Sequence, residues 1–297
     1  MYRTFYGLIH PPFEMTPDPS FLYLGETHRE GLATLVYGVR SRKGFVMLTG
    51  EVGTGKTTLL HGLLAQLDAS TDSAYIFNPC LEPLDFFKLL FDELGIEETC
   101  VSKAEYLLAL NHYLIDRLQN DRTVLLIIDE AQNLSREMLE EIRLLSNLET
   151  SSSKLIQILL VGQPELGEML DRDDLRQLRQ RIVLRYELKA FDADELESYV
   201  EERLRLAGYT GKGIFKRSAL RELFEVTGGV PRLVNVVCDG ALLTGYGRDQ
   251  AMLDAAIIRE VASDLHLNRD TTARAGAAEH RRRGGRPKRR RWWGLFR

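Results

Sequence analysis

The run GEVGTGKTT, residues 50–58, satisfies the spacing G-x-x-x-x-G-K-[ST] with Gly50, Gly55, Lys56 and Thr57. An apolar stretch, FVMLTG (45–50), precedes it and a segment of helical period, TTLLHGLLAQL (57–67), follows. In that context the glycines let backbone N–H groups turn inward around phosphates, and the helix N-terminus adds its partial positive charge. Gly50, Glu51, Val52, Gly53, Thr54, Gly55, Lys56, Thr57 and Thr58 therefore form a candidate cradle for ATP. Lys56 is placed to reach the β- and γ-phosphates, and the Thr57 hydroxyl to ligate Mg²⁺.

A second group of residues supplies the complementary charge. LLIIDE (125–130) is an apolar strand ending in two carboxylates, at the end where parallel sheets bind ligands. Asp129 is placed to hold the magnesium shell and Glu130 to orient and deprotonate an attacking water. VGQPEL (161–166) puts Gln163 at another strand tip, where it either bonds the γ-phosphate or the water, or belongs to a turn built by Gly162 and Pro164. LRQLRQRIVLRY (175–186), read as an arginine-bearing helix, offers Arg179, Arg181 and Arg185 as candidates for a finger that stabilises transition-state charge. TGGVPRLVN (227–235) sets Arg232 just inside a helix start, from where it could lean onto the nucleotide and sense hydrolysis.

The elements needed to hold these residues are legible as an alternation. FVMLTG (45–50), AYIF (74–77), TVLLIID (123–129) and LIQILLVG (155–162) have the length and β-branched content of buried parallel strands. Helical segments separate them at 57–67, 83–95, 103–118 and 135–149, which predicts an α/β fold with a parallel sheet. After about residue 190 the pattern is helical only, and Asp192 with Glu195 forms a capping box at the start of the first helix. The expected organisation is an ATPase core over 1–190, a small all-helical lid over 191–268 and a basic, aromatic tail over 269–297.

Composition narrows the function classes. With 44% hydrophobic and 28% charged residues the chain reads as soluble and globular. Its net charge of −4 conceals an asymmetry: residues 269–297 hold 11 of the 39 Lys+Arg and only 2 of the 43 Asp+Glu, a tail of +9 on a body of −13. A body that acidic argues against general nucleic-acid binding, whose affinity comes largely from phosphate neutralisation. Cys80, Cys100 and Cys238 lack metal-ligand spacing and read as buried thiols, and the six histidines show no ligand pattern. No signal peptide and no apolar run of about 20 residues is visible, so a cytoplasmic location is expected.

Together, the phosphate loop, the DE-ended strand, the polar strand tip, the arginine-bearing segment and the GVPR arginine resemble an AAA+ ATPase. Longer runs, MYRTFYGLIHPPFEMTPDPSFLYLGETHREGLATLVYGV, LLIIDEAQNLSREMLEEIRLLSNLET and LLVGQPEL among them, resemble the general secretion pathway protein A (ExeA/GspA) family over roughly residues 1–268. That family includes relatives in pilus biogenesis and exopolysaccharide or exosortase systems. The resemblance implies a P-loop AAA+ core with a helical lid, a homo-oligomeric ring with shared active sites, and an N-terminal PF-x-x-TPDP-x-FLYL segment beside the adenine. It also implies roles for Lys56 and Thr57 at phosphate and magnesium, Asp129 and Glu130 at magnesium and water, Gln163 as sensor one, and Arg232 as sensor two. Arg181 fits the family's LRQLxQRI pattern and is the first choice for the finger. The partners implied are envelope assembly proteins.

Larger members continue through a membrane span into a periplasmic peptidoglycan-binding domain. This chain instead ends in RRRGGRPKRRRWWGLFR (281–297), so the shorter pilus- or polysaccharide-associated relatives are the nearer match. A basic run followed by aromatics suits peripheral contact with the cytoplasmic face of an inner membrane. Two other classes fit a P-loop core: a DNA-associated helper ATPase of the transposition type, and a scaffold that uses ATP as a switch. The acidic body weighs against the first and Glu130 against the second.

Overall fold

The computed structural model describes residues 1–14, 23, 25–77, 81–150 and 153–267. Cys80, the 281–297 tail and most of the TPDP-x-FLYL stretch lie outside them. Along the chain run α1 (Tyr2–Tyr6), α2 (Glu26–Arg40), β1 (Phe45–Gly50), α3 (Lys56–Gln66), β2 (Thr71–Ile76), α4 (Pro83–Leu94) and α5 (Lys103–Gln119). Then come β3 (Thr123–Ile128), α6 (Arg136–Leu145), β4 (Ile156–Gly162), α7 (Pro164–Leu170), α8 (Arg176–Arg179) and β5 (Ile182–Leu188). Four helices close the order: α9 (Ala193–Leu206), α10 (Arg217–Thr227), α11 (Pro231–Gly247) and α12 (Ala255–Asp264).

The five strands form one parallel sheet in the order β2-β3-β4-β1-β5. The apolar runs of the central strands β1, β3 and β4 are nearly continuous because both faces are covered. Alternate residues divide accordingly. Val124, Leu126 and Ile128 join Phe45, Met47, Ile158 and Leu160 in a cluster completed by α4, α5 and α6. Leu125 and Ile127 join Val46, Leu48, Leu159 and Val161 in a second cluster completed by α2 and α3. Each fully buried leucine or isoleucine contributes roughly 1.5–3 kcal/mol, so both faces of β3 bind it firmly in place.

The fifth strand departs from the sequence reading, which carried LRQLRQRIVLRY as a helix. Only the short α8 is helical there, and Arg185 lies on β5. The register shifts between Phe45 and Val46, which face Ile182 and Leu184, so Val183 is an extra, bulged residue. β5 is an edge strand whose exposed positions, Val183, Arg185 and Glu187, alternate with more buried ones. The two charged residues among them interrupt the continuous apolar run that marks a strand covered on both faces.

The described residues fall into two compact units, one drawn from Thr16–Ala190 and the other from Met1–Met15 with Phe191–Arg297. The first fifteen residues, expected as part of a core over 1–190, belong to the second unit. They pack instead on the C-terminal helices: the Tyr2 hydroxyl donates to Asp239 Oδ1 at 2.6 Å, and the Tyr6 hydroxyl to the Gln250 carbonyl at 2.9 Å. The buried Arg203 guanidinium donates to the carbonyls of Pro12 and Glu14. The capping box at α9 is present, with Asp192 accepting from Asp194 and Glu195 N–H groups and the Glu195 side chain returning to the Asp192 N–H. Among the described residues no helix is long and apolar enough to cross a membrane.

Gly229 locks the start of this helical unit. The Phe191 N–H donates to its carbonyl at 3.0 Å. Gly229 takes φ +74°, and a Cβ there would stand 2.0 Å from the Phe191 carbonyl oxygen. Gly229→Ala should therefore lower unfolding free energy by on the order of 2 kcal/mol or more. Gly213→Ala, at φ +103° but in open space, carries the backbone strain alone and should cost about half as much in the same denaturant titration.

Candidate functional site

The loop after β1 has the geometry of a phosphate cradle. Gly53 and Gly55 adopt φ of 81° and 101°, a region in which a side chain is strained. At Gly50 the constraint is space, since a Cβ would meet the Leu188 carbonyl oxygen at 2.6 Å. Gly55 caps α3, and Lys56 and Thr57 occupy its first turn, where the helix N-terminus carries partial positive charge. Lys56 is buried and its Nζ donates to the Gly50 carbonyl at 2.7 Å and the Glu51 carbonyl at 3.1 Å. Burial pulls its pKa below the usual lysine range, while the carboxylates of Glu130, Asp129 and Glu51 oppose that fall. Thr57 is exposed.

Asp129 follows the last residue of β3 and is itself buried. Its Oδ2 accepts from the Tyr75 hydroxyl at 2.7 Å and its Oδ1 from the Glu130 N–H at 2.9 Å. Burial, and then the bond to Asp129, push the Tyr75 hydroxyl well above the usual tyrosine range, so it remains a donor. Glu130 itself sits at φ 51°, ψ 37°, a left-handed conformation that costs a non-glycine residue on the order of 1 kcal/mol. The short 3₁₀ turn that follows, Ala131–Asn133, brings Gln132 back beside it.

Gln132 then ties two strand ends together. Its Nε2 donates to Glu130 Oε2 at 2.5 Å, and its Oε1 accepts the Gln163 N–H at 3.1 Å. The Gln163 side chain reaches the same Glu130 oxygen at 3.3 Å. Gly162 makes room for the bridge, because a Cβ there would stand 2.6 Å from Gln132 Oε1. Gln163 and Glu130, candidates from separate strands, are thus in direct contact. Gln132 and Tyr75 belong to no motif in the sequence: an amide two residues after a carboxylate and a tyrosine inside a strand carry no local mark of such roles.

The donor set suits a magnesium nucleotide. Among the described residues no group of three or more His, Cys, Asp or Glu could hold a metal ion by itself. Magnesium bound with a nucleotide needs only one or two protein ligands, the remainder being phosphate oxygens and water, and Thr57 and Asp129 are of that kind.

The arginines are engaged elsewhere in the core. Arg181 donates to Ser146 Oγ at 2.6 Å. Arg179 donates to the Asp171 carbonyl at 3.2 Å, and Arg179 and Arg185 lie 3.6 Å and 3.9 Å from the Asp171 carboxylate. Arg232 is exposed, the second residue of α11 in the helical unit.

A five-stranded parallel sheet with this loop after one strand and paired carboxylates after another defines a P-loop NTPase of the AAA type. Residues 39–170 match the AAA domain family. Over 250 residues, 84% of the chain, the sequence is 45% identical to general secretion pathway protein A of Aeromonas hydrophila, so the resemblance to that family is borne out. The match spans 45% of that protein, so the chain covers about half of its relative's length. Solved structures share the fold. Drosophila ORC bound to DNA aligns at a TM-score of 0.65 with 15% identity, covering 92% of this chain and 67% of that one. The Aeropyrum pernix ORC2 protein aligns at 0.60 with 18% identity (86% and 71%), and the Thermotoga maritima RuvB branch migration motor at 0.52 with 16% (83% and 71%).

Gly162→Ala should destabilise the core by about 1–3 kcal/mol, through the clash with Gln132 and the 3.0 Å approach to Leu166. Truncation in the Gly162→Ala, Gln132→Ala double variant removes the first of these contacts. A double-mutant cycle by chemical denaturation should therefore show favourable coupling of about 1 kcal/mol, whereas additivity would mean the two residues do not meet.

Proposed function

We propose that this chain is an ATPase that hydrolyses ATP to ADP and phosphate and uses the cycle to assemble or position a bacterial envelope machine of the secretion, pilus or exopolysaccharide type. The observation that carries the reaction is the juxtaposition of the buried Lys56 ammonium with Asp129 and Glu130. Lys56 gives up the loop carbonyls for the β- and γ-phosphates, and backbone N–H groups of residues 51–58 surround them. Thr57 and Asp129 would hold magnesium, which would supply charge neutralisation at the phosphate oxygens. Glu130 takes the proton of the attacking water, with Gln132 and Gln163 fixing its carboxylate. Both amides bond Oε2, which leaves Oε1 to the water.

The remaining roles follow the family resemblance. Gln163 serves as sensor one and Arg232 as sensor two. Arg181 acts as the finger on the site of a neighbouring copy in a homo-oligomeric ring, exchanging Ser146 for that site. The envelope assignment rests on the 45% identity to general secretion pathway protein A, and envelope assembly proteins are the partners. The protein works on the cytoplasmic side, with residues 281–297 contacting the anionic face of the inner membrane. Each Lys or Arg near such a surface is worth about 1 kcal/mol, and that stretch holds nine.

Glu130→Gln should lower kcat by about 10²–10⁴-fold while ATP binding persists, and Lys56→Ala should abolish binding itself. Turnover that survives both changes, measured by phosphate release, rules out this site. Flotation with phosphatidylserine vesicles provides a separate check on the tail. Co-flotation should be lost on deletion of residues 281–297 and should weaken as salt rises.

A further inference from the structure

His28 stands against the outer side of the phosphate loop, and no role given above uses it. It lies in the first turn of α2 and is 3% exposed. Its Nε2 is 3.1 Å from the Thr54 carbonyl oxygen, and a Cβ on Gly55 would come within 2.9 Å of the same nitrogen. A peptide unit is planar and trans, so the Thr54 C=O and the Gly55 N–H point in opposite directions. A carbonyl drawn outward to the imidazole therefore turns the Gly55 N–H to the inner side of the loop, where phosphates bind. Left alone, this peptide has freedom to flip, because Gly55 sits at φ 101° and glycine crosses φ space at little cost.

The surroundings of His28 fix its own ring. The Thr54 carbonyl can only accept, so Nε2 carries a proton and donates to it, while the Thr27 hydroxyl lies 3.5 Å from Nδ1. The Thr27 carbonyl in turn accepts from the Tyr186 hydroxyl of β5. Gly31, one turn along α2, packs so closely on the Tyr186 ring that a Cβ would fall 2.7 Å from it. The segment that carries His28 is thus clamped to the sheet independently of the loop. Thr54 is held from the other direction, its hydroxyl donating to the Glu51 carbonyl at 2.8 Å.

We propose that His28 is a positioning residue for the phosphate loop: its Nε2–H anchors the Thr54 carbonyl and so presents the Gly55 N–H to the β-phosphate of a bound nucleotide. The inference rests on the reading of residues 50–58 as the nucleotide site. It sets His28 apart from residues that merely fill space, because the effect depends on a donor and concerns nucleotides that carry a β-phosphate.

The test compares ADP and AMP binding, by calorimetry, to the full chain with His28→Phe and with His28→Gln. Phenylalanine fills the space without a donor and should weaken ADP about tenfold, the loss of one well-placed hydrogen bond, with AMP affinity unchanged. Glutamine offers an N–H at the reach of Nε2 and should stay within about threefold of the parent for ADP. Should His28→Phe lose its thermal unfolding transition, His28→Asn, whose amide falls short of Thr54, takes its place with the same expectation. ADP affinity that is equal in parent and donor-less variant overturns the proposal, as does an equal loss for the Gln variant or a matching loss of AMP. A parent chain that fails to bind ADP at all, or binds it as well after Lys56→Ala, sinks the nucleotide reading instead, and the two failures are told apart by that control.

Discussion

The site depends on three parallel strands ending within two residues of one another. In the parallel register Thr49 of β1 lies opposite Gly162 of β4, and Leu160 of β4 opposite Ile128 of β3. One step past the first pair stand Gly50 and Gln163, and one step past the second stands Asp129 beside Val161, so residues separated by as many as 113 positions in the chain reach the same edge of the sheet. A slip of one residue would exchange the two faces of a strand and turn each terminal side chain the wrong way. The apolar clusters on both sides prevent that slip, since residues 45–48, 124–128 and 158–161 alternate between one cluster and the other.

Charge is distributed over that edge in a way that a buried apolar sheet would not otherwise tolerate. A lysine taken out of water loses part of its preference for the ionised form, and the nearby carboxylates restore some of it. Asp129 is equally costly to bury and is satisfied by a tyrosine hydroxyl and a backbone N–H. The backbone strain at Glu130 belongs to the same economy of space: the left-handed turn places two amides on one carboxylate oxygen. Opposite charges are held close without a direct ion pair quenching them, which suits a site that must admit phosphate.

Much of this was legible from residues alone, and for a physical reason. The phosphate loop, the DE-ended strand and the capping box at Asp192 are local patterns whose chemistry is fixed within a few residues, and the three central strands β1, β3 and β4 are nearly continuous apolar runs. β5 was not legible as a strand, because its exposed Arg185 and Glu187, with the arginines just before it, interrupt the apolar run and read as a charged helical face. Gln132 and Tyr75 were hidden for a different reason: each acts through a partner supplied by a neighbouring strand or turn. The packing of the N-terminal residues on α11 likewise follows from contacts between distant segments, which no window of sequence displays.

Those N-terminal contacts carry a consequence for the order in which the molecule is made. Tyr2 and Tyr6 find their partners 237 and 244 positions further along the chain. A ribosome adding about 5–20 residues per second reaches those partners only after tens of seconds, by which time the whole parallel sheet has emerged. The first helix must therefore wait, its tyrosines unpaired, while the ATPase core folds as an insertion between the two halves of the helical unit. Synthesis and assembly run in different orders here: residues made before the sheet are secured only by residues made after it.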